Sequence, residues 1–291
     1  MRRRATFIVA LLALLPAPAS GQCSMFGEVQ CPLDAPRWVG EFATLSANAL
    51  VGGLTAGLAR TLRGGSFGDG FVRGALGGAV VYGGKRLAAE RFEGAGLAGR
   101  EVAAVGSSMV RNAADGAPLL ERLVLPFGPV RLYVRPAARS VRPKLDALAL
   151  GWTLYGVLES ELTFDLGSSL SAGAPVFATD GKVIRTSGDT LHAGGLAVSG
   201  VILLADVPAF GDVFLARALA HERVHVLQGD HIFTMWTDPL WEWVLPELPG
   251  GRVVDSIADV DLSSAVFRLM AVLFPDHDDR PWELEAAFLA R

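Results

Sequence analysis

Cysteine is almost absent from this 291-residue chain: Cys23 and Cys31 are the only two. Two thiols cannot build a cysteine-rich zinc cluster or a disulfide-dense scaffold, so any metal must be held by histidine and carboxylate and the fold must rest on a packed core. Charge is also scarce. Charged residues make up 19% against 51% hydrophobic, and mean hydropathy is +0.38, whereas soluble domains carry about a quarter charged residues. Such a surface implies some burial against a membrane or a partner. Negative charge outweighs positive most clearly at the C-terminal end, where residues 206–291 contain 15 Asp and Glu, 6 Arg and no Lys. With a formal net charge of −4, this balance argues against nucleic acid as a partner. There is no repeat at solenoid spacing and no low-complexity linker.

The longest apolar runs are short. Arg2, Arg3 and Arg4 precede an apolar block from Ala5 to Leu15 and a small-residue stretch from Pro16 to Gly21. That order predicts a secretory signal peptide over residues 1–21 and an exported, periplasmic or cell-envelope protein; the block is too short for a permanent anchor. About 270 residues then remain, enough for one large domain or two small ones. Residues 22–37 form a Cys-containing segment in which Cys23 and Cys31 are expected to close a short disulfide.

Residues 38–113 are dominated by Gly, Ala, Leu and Val. Gly53 and Gly57, then Gly70, Gly74 and Gly78, recur at four-residue spacing, which predicts a helical hairpin with a smooth stripe for close helix approach. The uncharged run from Phe42 to Ala59 is of borderline length for a membrane span, so the hairpin is either packed within a globular domain or associated with a membrane surface. Residues 114–210 change to short alternating runs. Val130–Val134 and Leu162–Leu166 alternate with period two, Asp180-Gly181 reads as a hairpin turn, and Val198–Leu204 as a buried strand. The expected fold is α+β: a Gly-rich helical hairpin, an antiparallel β region and a helical metal-binding region over residues 211–291.

That last region holds the chemistry. His221-Glu222-Arg223-Val224-His225 is an H-E-x-x-H motif inside the helix-compatible run from Phe214 to Gln228. Residues four apart share a helix face, so His221 and His225 can reach one divalent ion, with Glu222 beside them to handle a water. Asp212 is the expected helix cap and Gly229 the expected stop. Two further helices are expected, over Ser263–Leu273 and from Pro281. A third ligand is required. His231 has metzincin spacing, but Gln228 stands where that pattern requires Gly; Glu283 and Glu285 in Trp282-Glu283-Leu284-Glu285-Ala286-Ala287 are the alternatives, about 200° apart on a helix. Arg223 is expected to face solvent or pair with an acid, and His192 and His277 to be ordinary loop histidines. Trp236, Trp241 and Trp243 suit core and rim packing, or else a cleft or membrane interface.

An H-E-x-x-H helix followed by a helix with Glu and, three residues on, Ala resembles the gluzincin metallopeptidases, in particular the E-x-x-A-D or E-x-x-A-N helix of CAAX-type and heat-shock membrane endopeptidases. The likeness covers about 30 residues. It implies Zn2+ held by His221, His225 and Glu283, Glu222 as catalytic base, and a peptide or protein substrate. Ala287 departs from the pattern, where those families place Asp or Asn. The contrasting expectation is an envelope structural or binding protein whose metal braces the fold.

Overall fold

Glycine decides how the first helices meet. In the computed structural model, which describes residues 37–179, 195–205, 211–277 and 280–291, the chain opens with α1 (Arg37–Leu62), α2 (Phe67–Ala88) and α3 (Ala95–Asp115). The expected signal peptide, the Cys23–Cys31 pair, the Asp180-Gly181 turn and His192 lie outside the described residues. The glycine stripe is the α1–α2 seam: a Cβ on Gly74 would stand 2.4 Å from the Gly52 carbonyl oxygen, and one on Gly78 2.2 Å from that of Asn48. The expected hairpin is incomplete, however. A second seam joins α2 to α3, where a Cβ on Gly84 would meet Ala103 N at 2.4 Å and one on Gly106 the Gly77 carbonyl at 2.7 Å. The two seams lie on different faces of α2, so the region is a three-helix unit. α1 is, among the described helices, the one long and apolar enough to cross a membrane, with 26 residues and hydropathy 1.4, while its glycine face is buried on α2.

The expected antiparallel sheet is two mixed ones. β1 (Leu123–Phe127), β2 (Val130–Arg135) and β3 (Ser140–Asp146) form an antiparallel meander, to which β8 (Ala258–Asp259) adds in parallel along β3. β4 (Leu162–Phe164), β5 (Val176–Thr179), β6 (Gly195–Val198) and β7 (Val201–Ala205) form the second sheet in the order β4-β5-β7-β6, with β5 and β7 parallel. Two helices, α4 (Ala147–Leu158) and α5 (Leu166–Ala172), interrupt the strands. Aspartates turn the chain into both. Asp146 accepts from the backbone N–H groups of Leu148 and Ala149, and Asp165 from that of Ser168, so the alternation over Leu162–Leu166 ends as a strand at Phe164. The expected strand Val198–Leu204 is also split. Ser199 (φ 44°) and Gly200 (φ 75°) make a two-residue turn with both residues left-handed, the hairpin geometry that suits strand twist.

β7 is buried along its whole length, and beneath it runs α6 (Gly211–Ile232), with Ala218 and Val226 packed on Val176, Ile202 and Leu204. Asp212 lies inside the first turn of α6, not at its cap, where its charge complements the helix dipole. Gly229 is no stop either. Its missing side chain admits Ser263, whose Oγ would lie 3.3 Å from a Cβ there, and the helix runs on into a π-helical turn, Phe233–Thr237, and α7 (Asp238–Val244). α8 (Gly251–Ile257), α9 (Ser263–Leu273) and α10 (Pro281–Leu289) complete the fold, with Pro281 in the first turn of α10 as expected.

Charge locks α6 against the first sheet. Asp230 of α6 accepts from Arg100 Nε at 2.7 Å and Arg131 Nη1 at 3.3 Å; Arg131 also bonds Asp146 at 2.6 Å and Asp261 at 2.8 Å and lies over the Phe233 ring. All five charged groups are buried. Desolvation opposes a buried Arg131 charge, but three aspartates hold its pKa far above the ordinary value.

Candidate metal centre

α6 presents His221 and His225 one turn apart, and their Nε2 atoms lie 2.9 Å from one another. α10 brings Glu283 to the same point: its Oε2 is 3.2 Å from His221 Nε2 and 3.0 Å from His225 Nε2. Two contacts deliver α10 there. Ala286 and Leu289 pack against Val224 and Ala89, and the Trp282 ring lies beside Phe267 and Phe274. The three donor atoms lie within 4.8 Å of one another. Tetrahedral zinc with bonds of about 2.0–2.1 Å separates its ligands by roughly 3.3 Å, so the trio needs only to open slightly to fit such an ion. Two neutral imidazole nitrogens and one carboxylate are also a zinc donor set.

The neighbours of the trio set its chemistry. Gln228 Nε2 donates to the Trp282 carbonyl at 3.0 Å and to Glu285 Oε2 at 2.8 Å. Both amide hydrogens are thereby committed, so Gln228 Oε1, 2.8 Å from His225 Nδ1, acts as the acceptor. In its neutral form His225 therefore carries its proton on Nδ1 and presents the Nε2 lone pair toward Glu283 and His221. Glu285 points away from the trio and receives Lys85 Nζ of α2 and Asn48 Nδ2 of α1, each at 2.7 Å. Burial works against its charge, but Lys85, Asn48 and Gln228 hold its pKa below the usual value. Glu285, an alternative third ligand by sequence, is thus the anchor of this relay. Ala287 provides no such support, and Gln228 and Glu285 take its place. His221 differs, since its Nδ1 is buried with no hydrogen-bond partner among the described residues.

Electrostatics show which charge the trio favours. Burial pushes His225 down, yet Glu283 and Glu222 overcome it and raise the imidazole to about 9. Burial likewise works to raise Glu283, but His225 and His221 hold it well below the usual carboxylate range. The trio favours a shared positive charge at its centre. Glu222 is buried behind it under β6, so close that a Cβ on Gly195 would stand 2.6 Å from Glu222 Cγ. Burial raises its pKa, opposed by the two histidines and by the Ala197 backbone N–H. A buried carboxyl with a raised pKa beside two histidines is chemically suited to proton transfer.

Other sequence candidates stand elsewhere. His231 is outside the trio: its Nδ1 is 2.8 Å from Ser107 Oγ, and burial together with the nearby Lys85 charge pushes it down to about 3, a neutral core histidine. Arg223 neither faces solvent nor pairs with an acid. It is buried, donates to the Glu90 carbonyl and Ser171 Oγ, and is lowered to about 10 by burial. Trp241 donates to the Val260 carbonyl, while Trp243 is exposed. His277 lies in a loop as expected, between α9 and α10, and places Nε2 3.3 Å from Glu283 Oε1 with its side chain 61% exposed. Its position six residues before Glu283, just ahead of Pro281, was the available signal.

No family model matches the chain, and no curated protein or solved structure gives a significant match.

Proposed function

We propose that the chain is a zinc-dependent hydrolase with a gluzincin-type ligand set, His221, His225 and Glu283. Within that class it is read as an exported metallopeptidase of the periplasm or cell envelope, acting on a peptide or protein substrate. The observation that carries this reading is the convergence of those three donors within 4.8 Å, with Glu222 buried next to His221. Zinc, when bound, supplies a Lewis acid for the substrate carbonyl and makes water acidic enough to deprotonate near neutral pH. Glu222 takes the proton from the attacking water and returns it to the leaving amine. β6, an edge strand among the described strands, runs over Glu222 and offers its backbone to an extended peptide. His277, beside Glu283 and open to solvent, is the donor for the developing oxyanion.

The test is metal content and peptide hydrolysis of the mature protein beside Glu222→Gln and His221→Ala/His225→Ala. The expected result is about one zinc per chain, retained in Glu222→Gln with hydrolysis lost, and absent from the double histidine variant. A second reading has its own support: His221 and Glu222 are each only 4% exposed, the enclosure of a structural site. An envelope structural or binding protein of that kind would keep zinc and show no hydrolysis in wild type or variant.

A further inference from the structure

The second centre of unspent chemistry is a cavity of about 400 Å³ lined by five arginines, Arg37, Arg86, Arg91, Arg217 and Arg291. They come from the start of α1, the end of α2 and the segment after it, the second turn of α6, and the second residue after α10. Five guanidinium groups on four separate segments is a concentration unlike the rest of this net acidic chain. Two carboxylates offset them. Glu41 pairs with Arg37 at 3.4 Å and Arg86 at 3.2 Å, and Glu90 pairs with Arg86. Arg91 and Arg217 are exposed and have no ion-pair or hydrogen-bond partner among the described residues. The cavity therefore holds excess positive charge in a concave site, with planar donor forks suited to a tetrahedral oxyanion.

The flank of the cavity identifies the source of that anion. Trp38 and Phe42, one turn apart on α1 and adjacent in sequence to Arg37 and Glu41, are 69% and 67% exposed. α1 is, among the described helices, the one both long and apolar enough to cross a membrane. An exposed tryptophan and phenylalanine beside clustered arginines is the chemistry of an interface with an anionic bilayer, apolar rings entering the headgroup boundary and guanidinium groups engaging phosphate.

We infer that the Arg37–Arg86–Arg91–Arg217–Arg291 cavity binds the phosphate of an anionic phospholipid headgroup and docks this end of the protein on a membrane surface. This inference is independent of the metal centre. The test is co-sedimentation of the mature protein with vesicles of phosphatidylcholine alone and of phosphatidylcholine with phosphatidylglycerol, using wild type, Arg91→Gln/Arg217→Gln and Arg139→Gln, whose exposed arginine lies in the β2–β3 turn. Inorganic phosphate and an oligoglutamate peptide are titrated calorimetrically in parallel. The expected result is preference for the anionic vesicles, weakened roughly tenfold or more in the double variant, with two phosphate-facing charges removed, and retained in Arg139→Gln. Equal binding to both vesicle types, equal loss in Arg139→Gln, or tighter binding of free phosphate or oligoglutamate than of anionic vesicles would each overturn it.

Discussion

Along the α1–α2 and α2–α3 seams backbone meets backbone, with glycines where side chains would stand, whereas around α6 the elements are spaced by buried guanidinium and carboxylate groups. The first kind of contact gains dispersion from close approach and tolerates no added atom. The second tolerates no removed charge, because each buried ion is compensated only by its partners. The helical unit is therefore vulnerable to enlargement and the half that holds the His221, His225 and Glu283 trio to truncation.

Breaking the ionic side should have the largest effect. Arg131→Met leaves Asp146, Asp230 and Asp261 facing one another without their shared cation, and a loss of about 3–5 kcal/mol is expected, read as a lower urea midpoint. A loss under ~1 kcal/mol would show that the aspartates simply take up protons and that the network holds little. On the helical side, Gly84→Ala places its methyl 2.4 Å from Ala103 N and 2.6 Å from the Gly99 carbonyl. Neither backbone atom can rotate aside, so α2 and α3 must part, at a cost of about 1–3 kcal/mol. The control is one residue earlier: a Cβ on Gly83 meets nothing within 4 Å, and Gly83→Ala should stabilise by about 0.5–1 kcal/mol through helix propensity. Opposite signs at adjacent glycines would establish the seam; equal signs would remove it.

This division also explains what could be read before the structure. The α1–α2 stripe, the shared face of His221 and His225, and the opening of α10 at Pro281 are local patterns, visible because helical periodicity places them. What escaped is set by distant partners. β3 and β8 pair in parallel across more than a hundred residues of chain, through Leu145 and Ala258, and no local alternation encodes that. Ser199 has an unusual left-handed conformation, which hid the β6–β7 turn, and Gly229 faces Ser263 from within a continuing helix. In the candidate site, the convergence of His221, His225 and Glu283 was legible from spacing and resemblance. The roles of Gln228, Glu285 and His277 were not, since each depends on which element lies opposite.

The two regions meet at Glu285, which takes donors from α1 and α2 on one side and Gln228 on the other. Gln228→Leu cuts this junction without touching a proposed ligand. His225 loses the acceptor that fixes its tautomer, and zinc affinity should fall about 10–100-fold, measured by competition with a chromogenic chelator. Glu285→Gln keeps the shape and should fall less. Unchanged affinity in Gln228→Leu would show that α6 alone orients His225 and that the helical unit is only a packing partner.

The smallest effect tests whether the helical unit carries a hidden charge defect of its own. Glu101 on α3 has both carboxylate oxygens buried without a hydrogen-bond partner among the described residues, and burial raises its pKa to about 7 against an opposing Arg100. The folded chain thus keeps this proton until about pH 7, while the unfolded chain releases it near the ordinary 4.5. Folded protein binds more protons in that window, so the Glu101 contribution to stability is fully present below about pH 4.5 and falls as pH rises through 7. Glu101→Gln removes the ionisation, and at pH 8 it should stabilise by about 1–2 kcal/mol, the full shift being discounted for the partial exposure of the side chain. At pH 4 the variant and the wild type should unfold at nearly the same urea concentration. A gain of the same size at both pH values would trace the effect to packing, and would leave the glycine seams as a region free of the electrostatic cost that defines the other half.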